Sequence, residues 1–439
     1  MGKMVKTLQQ SIEAINYASF ALLLFLLPFP WHYIQPVMAI WMVSWVLEFR
    51  WVQKKNFHFH KGIIPLLLIA AFIVWEALSL CWGTNVSHGL DILQKHIIIL
   101  AIILVSLFGT NRFYNSIKLK SALYIGCLVS VLVYFTLVYW CLQLPKTHPW
   151  IILPFKWDTI GCFPLSVIEH HLYCCIPFTL ALCFSGSLYR HYKARYSPIS
   201  ALVTIGIGDV ILIGAIILSS CRTMILILPI LAIIGILLHF KGWKKWIGVG
   251  ITLVGIAVTL TYLYNHNNRF CQIINDVKNI TVERIMDPST QKEPRIYLWY
   301  TVVNHWKDYG IQGLGVGSAV EQMNQYAKED NFPIAQQQDW GPHNFYLNTW
   351  MELGPLAVLF LLGLLIVLPL CHTKNIRKEV LFTTLIFGWA ILTEEMFTQA
   401  RGLYLLSAMI ALMQLLQRED LGISHFDNNS DEHQTGHLQ

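Results

Sequence analysis

Runs of about 20 apolar residues recur along the whole 439-residue chain, and this pattern constrains the fold more than any other feature. A helix needs about 20 such residues to cross a bilayer, and a lipid-exposed segment must satisfy its own backbone hydrogen bonds. Charged residues make up 13% of the sequence, against roughly 25% in soluble proteins. The sequence therefore predicts an all-α integral membrane protein, and its length does not imply several globular domains.

We expect about twelve transmembrane helices, at 12–29, 33–49, 63–82, 93–109, 121–143, 166–185, 199–219, 223–240, 246–264, 345–370, 379–397 and 402–416. This divides the chain into helices 1–9 (1–264), a large external loop (265–344), helices 10–12 (345–417) and a polar, disordered tail (418–439). Lysine and arginine concentrate in alternate short connections. By the positive-inside rule, this places both termini in the cytoplasm. The net charge of +6 follows this topology pattern and does not indicate nucleic-acid binding.

The external loop is predicted to contain two short amphipathic helices. The first would run from Pro294 through Asp308. Its apolar face would carry Ile296, Trp299, Tyr300, Val303 and Trp306. Several glycines then interrupt the pattern, and Ser318 with Glu321 has the spacing of a capping box. The second helix would follow, with Val320, Met323, Tyr326 and Ala327 at helical spacing.

Three residues, two of them in the external loop, are candidates for chemistry on a phosphate ester. His343 lies between Pro342 and an apolar run, so its imidazole sits at the membrane boundary, where it can accept a proton at neutral pH. Arg222 lies between two apolar runs, and Arg295 opens the first predicted loop helix. A guanidinium offers a planar pair of donors to phosphate oxygens. Each residue also has a non-catalytic interpretation. His343 could be an ordinary interfacial histidine, Arg222 could snorkel to lipid headgroups, and Arg295 could lie at a solvated helix end.

Carboxylates in or near the apolar runs are further candidates. Asp209 lies inside the seventh span, and Glu394 and Glu395 lie near the outer end of the eleventh, with Arg401 close behind. Ionisable residues at membrane depth are functional candidates by default. A structural pair between a glutamate and Arg401 accounts for the last three equally well.

Metal and disulfide chemistry have little support in the sequence. Glu169, His170 and His171 begin the sixth span, but adjacent helical residues point about 100° apart, so the two histidines make a poor chelate. The ten cysteines lie mostly in apolar runs and indicate packing. Cys162 and Cys271 fall in predicted external loops, where a disulfide is one alternative. The sequence has no Asp-x-Asp motif, and this absence disfavours a metal-dependent glycosyltransferase. It also has no Walker motif, and this absence excludes nucleotide hydrolysis.

Over roughly 160–400, the chain resembles the superfamily of O-antigen ligases and O-antigen polymerases of the bacterial envelope. The match rests on the order and spacing of one set of residues around the external loop. These are Ser219, Ser220, Cys221, Arg222, Arg295, Trp299, Gly313, Gly315, Gly317, His343, Asn344, Leu347 and Gly354. The resemblance does not separate ligases from polymerases.

The resemblance implies an inverting, metal-independent transfer from undecaprenyl diphosphate, with no cofactor. Arg222 and Arg295 would hold the diphosphate, and His343 would act as the base or orient the acceptor hydroxyl. We also place Asn344, His170 and Arg401 among the substrate-binding residues.

A ligase would move a glycan to the lipid A-core oligosaccharide at the periplasmic face of the inner membrane of a Gram-negative bacterium. The alternative is a polymerase that joins repeat units on the same carrier. A polytopic transporter is a less favoured class, because it would place its polar residues near the membrane midplane.

Overall fold

The computed structural model describes residues 2–48, 60–108, 114–143, 170–219, 221–266, 281–287, 295–332 and 340–422. Within these ranges the regular secondary structure is helical, without a strand. A 3₁₀ turn at Lys61–Ile63 leads into α3. The α-helices are α1 (Gly2–Leu26), α2 (Trp31–Leu47), α3 (Ile64–Ser79), α4 (Val86–Phe108), α5 (Ser116–Gln143), α6 (His171–Arg195), α7 (Pro198–Leu218), α8 (Arg222–His239), α9 (Lys244–His266), α10 (Val282–Met286), α11 (Arg295–Asn304), α12 (Ala319–Glu329), α13 (Phe345–Leu353), α14 (Pro355–Leu370), α15 (Arg377–Ala390) and α16 (Ala400–Asp420).

The all-helical membrane class is confirmed. In the described part of the chain, eight helices are long and apolar enough to cross a membrane: α3 with its leading turn, α4 to α9, and α16. Each of the twelve predicted spans contains a helix, but α2, α14 and α15 are shorter, with 17, 16 and 14 residues. The count of twelve spans stays a prediction.

Helices at the centre and at the periphery of the bundle differ in how much of their surface is buried. Helices α6 and α16 are mostly buried inside the protein, whereas the apolar window of α9 has no buried residue. Small residues allow the central helices to approach closely. Cys174, Cys175 and Cys221 are fully enclosed there, and the sulfur of Cys175 lies 3.1 Å from Ser219 Oγ. The packing role predicted for most cysteines fits these positions, and Cys162 and Cys271 lie outside the described residues.

The predicted span at 345–370 is wrong as a single helix, because it breaks between α13 and α14. Gly354 has φ +83° and Pro355 starts α14. A Cβ on Gly354 would lie 1.9 Å from the carbonyl oxygen of Ile311. The external loop therefore passes directly over this break, and only glycine fits there.

Two other predicted boundaries are corrected by the structure. Helix α15 ends at Ala390, so Glu394 and Glu395 lie in a non-helical connection, 391–399, and not within a membrane helix. Helix α16 continues to Asp420, and Arg418 is buried within it. The polar tail therefore cannot begin at Arg418.

The described part of the external loop has a hydrophobic core of its own. It consists of Ile285, Tyr297, Leu298, Val302, Tyr309, Ala319, Met323, Tyr326, Ala327, Phe332 and Met351. The ring of Tyr297 stacks on Phe332 with centroids 3.8 Å apart. The predicted apolar face is therefore only partly correct. Ile296, Trp299 and Tyr300 pack against this core, whereas Val303 and Trp306, which lies beyond the end of α11, are about half exposed (51% and 52%). The partners of α11, rather than its periodicity alone, determine which face is buried. The predicted start at Pro294 lies outside the described residues.

Helix α12 buries the predicted face at Met323, Tyr326 and Ala327, but the predicted capping box is wrong. The Ser318 side chain makes no cap hydrogen bond. Instead, Glu352 Oε1 accepts hydrogen bonds from Gly317 N–H (2.9 Å) and Ala319 N–H (3.3 Å). A carboxylate from α13 therefore caps α12 across the interface.

The glycine-rich stretch before α12 joins the external loop to the bundle. Gly315 has φ +89°, and a Cβ there would lie 2.3 Å from the Cα of Gly83. The next residue, Val316, donates its N–H to Ser79 Oγ at 3.0 Å. These contacts fix the loop against the end of α3 and the α3–α4 connection.

Candidate active site

Three side chains from different parts of the chain converge on the carboxylate of Glu394. Arg295 Nη2, at the start of α11, donates to Oε1 at 2.6 Å. His343 Nδ1 lies 3.3 Å from Oε2, and His170 Nε2, just before α6, lies 4.0 Å from Oε1. The Glu394 side chain is 12% exposed, whereas those of Arg295 and His170 are 38% and 37% exposed. The cluster thus has a buried acidic centre and an accessible basic rim.

The basic neighbours determine the charge of Glu394. Burial disfavours its ionised form, but the hydrogen bond from His343 and the positive charge of Arg295 outweigh that effect and lower the pKa of the Glu394 carboxyl. The positive charges that His343 and His170 carry when protonated act in the same direction. At neutral pH the centre of the cluster is therefore an anion, able to orient an imidazole and a guanidinium.

The backbone around His343 is held in an uncommon conformation. His343 has φ +50°, and its N–H donates to Glu395 Oε1. Trp299 Nε1 donates to the carbonyl oxygen of Pro342 at 2.9 Å. A Cβ on Gly341 would lie 2.6 Å from Glu395 Oε1. Glycine at 341 therefore lets the carboxylate approach and fix the imidazole over Glu394. Strained backbone of this kind clusters at functional sites.

Two further carboxyl groups near the cluster hold their protons more tightly than usual. Burial raises the pKa of Glu395 to about 7, and the Glu394 charge adds to this, although His343 opposes it. Burial likewise raises the pKa of Glu352 to about 8. Near neutral pH, Glu394 is thus ionised, whereas Glu395 is partly ionised and Glu352 is mostly protonated.

Arg222 lies beside the same connection. It is the first residue of α8, and the next residue, Thr223, pairs its Oγ1 with Thr393 Oγ1 at 2.9 Å. Trp389 Nε1 also donates to the carbonyl oxygen of Thr223 at 2.9 Å. Since Thr393 immediately precedes Glu394, the structure brings the Arg222 backbone, Arg295 and His343 to one end of the bundle, here called the site end. Their chemical roles stay predictions.

The other predicted binding residues lie around this core. Asn344 is 4% exposed, and its Oδ1 caps α13 by accepting the N–H groups of Tyr346 (3.0 Å) and Leu347 (3.2 Å). These hydrogen bonds give Asn344 a structural role as the cap of α13. The guanidinium carbon of Arg401 lies 5.9 Å from the centre of the Tyr173 ring. The structure pairs Glu394 with Arg295 at 2.6 Å.

The histidines at the start of α6 do not form a chelate in this arrangement. The rings of His170 and His171 stack with centroids 4.5 Å apart, and Glu169 lies outside the described residues. Among the described residues, no group of three His, Cys, Asp or Glu side chains is arranged to hold a metal ion. Metal-independent catalysis stays a prediction.

Sequence reasoning missed a buried pair that supports the 391–399 connection. His96 Nδ1 on α4 lies 2.6 Å from Glu76 Oε2 on α3, and His96 Nε2 lies 2.8 Å from the carbonyl oxygen of Phe397. The available signal was the presence of both ionisable residues inside apolar spans. The pair fixes the Phe397 carbonyl oxygen of this non-helical connection.

A comparison with known protein families identifies the same part of the chain. Residues 207–362 match the family model for O-antigen ligase. The matched segment contains Arg222, Arg295 and His343, and it extends from α7 into α14. The match confirms the resemblance to the superfamily of O-antigen ligases and polymerases. No curated protein matches the chain.

Proposed function

We propose that this chain is an O-antigen ligase-type glycosyltransferase, which moves a glycan from undecaprenyl diphosphate to lipid A-core oligosaccharide at the periplasmic face of the inner membrane. One observation carries the proposal: a single carboxylate, Glu394, joins Arg295 to His343 at the end of the bundle where α8 begins with Arg222. Transfer from a diphosphate needs positive charge at the leaving group and a base at the acceptor, and this cluster has both.

The proposed step is one displacement at the anomeric carbon. The acceptor hydroxyl oxygen forms a bond to that carbon while the bond to the diphosphate oxygen breaks, and the electron pair leaves with undecaprenyl diphosphate. The hydroxyl proton passes to His343. Attack opposite to the leaving group inverts the anomeric configuration. Arg222 and Arg295 stabilise the charge that develops on the leaving diphosphate.

Glu394 gives His343 the tautomer that a base requires. An ionised carboxylate accepts a hydrogen bond, so Nδ1, which faces it at 3.3 Å, carries the proton. The opposite ring nitrogen, Nε2, then has the free lone pair. When Nε2 takes up the acceptor proton, the carboxylate also stabilises the imidazolium that forms. The His343 side chain is 29% exposed, so an acceptor can reach the ring.

Arg295 can hold phosphate without leaving Glu394. A guanidinium has five N–H donors, and only Nη2 is bound to the carboxylate. The side chain is 38% exposed, so its other donors can face a bound phosphate. Arg295 would therefore link the leaving group to the carboxylate that positions the base. In this scheme two guanidinium groups supply the positive charge that a metal ion supplies in other glycosyltransferases.

The distribution of basic residues supports the proposed orientation. At the end of the bundle opposite to the site, Lys120 pairs with Glu379 at 2.7 Å, and Lys378 donates to the carbonyl oxygen of Leu238 at 3.1 Å. Glu419, near the end of α16, bonds to Ser116 there. The positive-inside rule assigns this end to the cytoplasm, which puts the site in the periplasm.

The lipopolysaccharide profile of a deletion strain tests the proposal. Loss of a ligase leaves lipid A-core without O-chain, while polymer accumulates on the carrier. A core capped by one repeat unit would instead identify the polymerase alternative. An unchanged profile, in a strain with no second ligase, would contradict both.

A further inference from the structure

An apolar cleft opens on the side of the bundle between α6, α7, α8, α9 and α15. Its volume is about 640 Å³, within the range of ligand pockets. Small residues, including Gly186, Gly235 and Gly255, form parts of its walls. A Cβ on Gly186 or Gly255 would meet no atom within 4 Å. The width of the cleft therefore depends on the absence of side chains at these positions.

The cleft begins just below Arg222. The lining residue of α8 nearest to the site end is Ile225, and that of α7 is Ile217. Ile225 follows Arg222 by three residues, which is about one helical turn, or roughly 5 Å. The mouth of the cleft thus lies about one helical turn from Arg222, the first residue of α8.

The cleft extends from the site end past the middle of α8. On α8 the lining extends from Ile225 to Gly235, a rise of roughly 15 Å, or about half of a bilayer core. Asp209, near the middle of α7, also lines the cleft and accepts a hydrogen bond from the Tyr124 hydroxyl at 2.9 Å. An apolar chain entering at the site end would therefore stay within one leaflet before meeting this carboxyl group.

We propose that this cleft binds the first isoprene units of the donor's polyprenyl chain, with the diphosphate at Arg222. The inference rests on the proposed function and specifies how its donor is held. An apolar passage that opens one helical turn from an arginine is complementary to a molecule with an anionic head and a hydrocarbon tail. Most bilayer lipids carry two acyl chains, whereas the donor has one long, branched chain. The cleft would therefore position the anomeric carbon relative to His343 by holding the tail.

Filling the cleft tests this inference, and the chain provides matched controls. Gly255→Leu places a side chain in the cleft. Gly250→Leu makes the same change on α9 outside the lining, where a Cβ also meets nothing within 4 Å. Gly186→Leu on α6 and Gly206→Leu on α7 form a second pair by the same criteria. Leucine favours a helix more than glycine does, so none of these changes weakens its helix.

The assay compares two donors with the same glycan diphosphate, one on undecaprenol and one on a two-isoprene alcohol, in detergent with purified protein. For Gly255→Leu we expect about a tenfold rise in KM for the long-chain donor, as a few methylene groups lose their buried contacts. The short-chain donor should be unaffected, and Gly250→Leu should behave as wild type. Equal effects of the two leucines, or equal losses with both donors, would overturn the inference.

The wild-type protein separates this inference from the proposed function. If it transfers from neither donor, the proposed function fails, and binding of undecaprenyl diphosphate alone, measured by native mass spectrometry, still tests the cleft. Weaker binding to Gly255→Leu than to Gly250→Leu would support the cleft in that case. A wild-type KM or Kd that does not depend on chain length would show that the cleft holds bulk lipid only, which refutes the inference.

Discussion

The substitution Glu394→Gln removes one negative charge from the centre of the proposed active site and preserves the shape of the side chain. The carboxylate accepts a hydrogen bond from Arg295 at 2.6 Å and lies 3.3 Å from His343 Nδ1. An amide can still bond to one of these partners, but it cannot stabilise an imidazolium by charge. We therefore expect slower transfer and a smaller effect on the fold.

The magnitude follows from the bond that is lost. Hydrogen bonds to charged groups contribute about 1.5–3 kcal/mol. Because the contact to His343 is long and the rim of the cluster is exposed to water, the lower half of this range applies. A loss of roughly 1.5–2 kcal/mol in transition-state stabilisation corresponds to about a 10- to 30-fold fall in kcat. Donor binding should change less, since Arg222 and Arg295 keep their charges.

The assay is single-turnover transfer by purified protein, with donor binding measured in parallel. Glu329→Gln is the matched control, because Glu329 is an exposed residue at the end of α12. The control should retain wild-type rates. A Glu394→Gln protein that folds normally and transfers within twofold of wild type would refute the role given to this carboxylate.

Three other predictions concern charge, metal and pH. Arg295→Lys retains a positive charge but loses the planar fork, so kcat/KM should fall sharply, and a wild-type value would contradict a guanidinium-specific role. Excess chelator should leave transfer unchanged; a strict need for magnesium or manganese would count against the mechanism. The pKa values of Glu395 (about 7) and Glu352 (about 8) exceed the unfolded value of 4.5, so the folded state holds more protons, and its stability falls as pH rises from about 4.5 to about 8. Glu352→Gln should flatten this fall in melting temperature, and an unchanged slope would show that Glu352 is not responsible.

The helices and most candidate residues were predictable because each depends on local composition. Apolar runs of membrane length become helices whatever they pack against. Arg222, Arg295 and His343 stand out because each interrupts or borders such a run. Their order along the chain also matched a known superfamily, which placed them around one loop before any distance was available.

The features that the sequence did not reveal depend on contacts between distant segments. The cap of α12 comes from Glu352, which is 33 residues from Ala319. The face that α11 buries depends on Phe332, which no periodicity identifies. The sequence predicted Glu394 to lie within a membrane helix. In the structure α15 ends at Ala390, and Glu394 faces Arg295. These features depend on the segments that each helix contacts in the folded protein, and the local sequence pattern does not specify those contacts.

The central claim is that His343 accepts the acceptor's proton while the arginines hold the donor. Its most direct test measures undecaprenyl diphosphate-glycan binding and glycan transfer in the same preparation of His343→Ala, with His191→Ala, an exposed histidine on α6, as the control. We predict that transfer by His343→Ala falls by about 10²–10⁴-fold while donor binding stays within a few-fold of wild type. Full transfer by the folded His343→Ala protein would contradict the account.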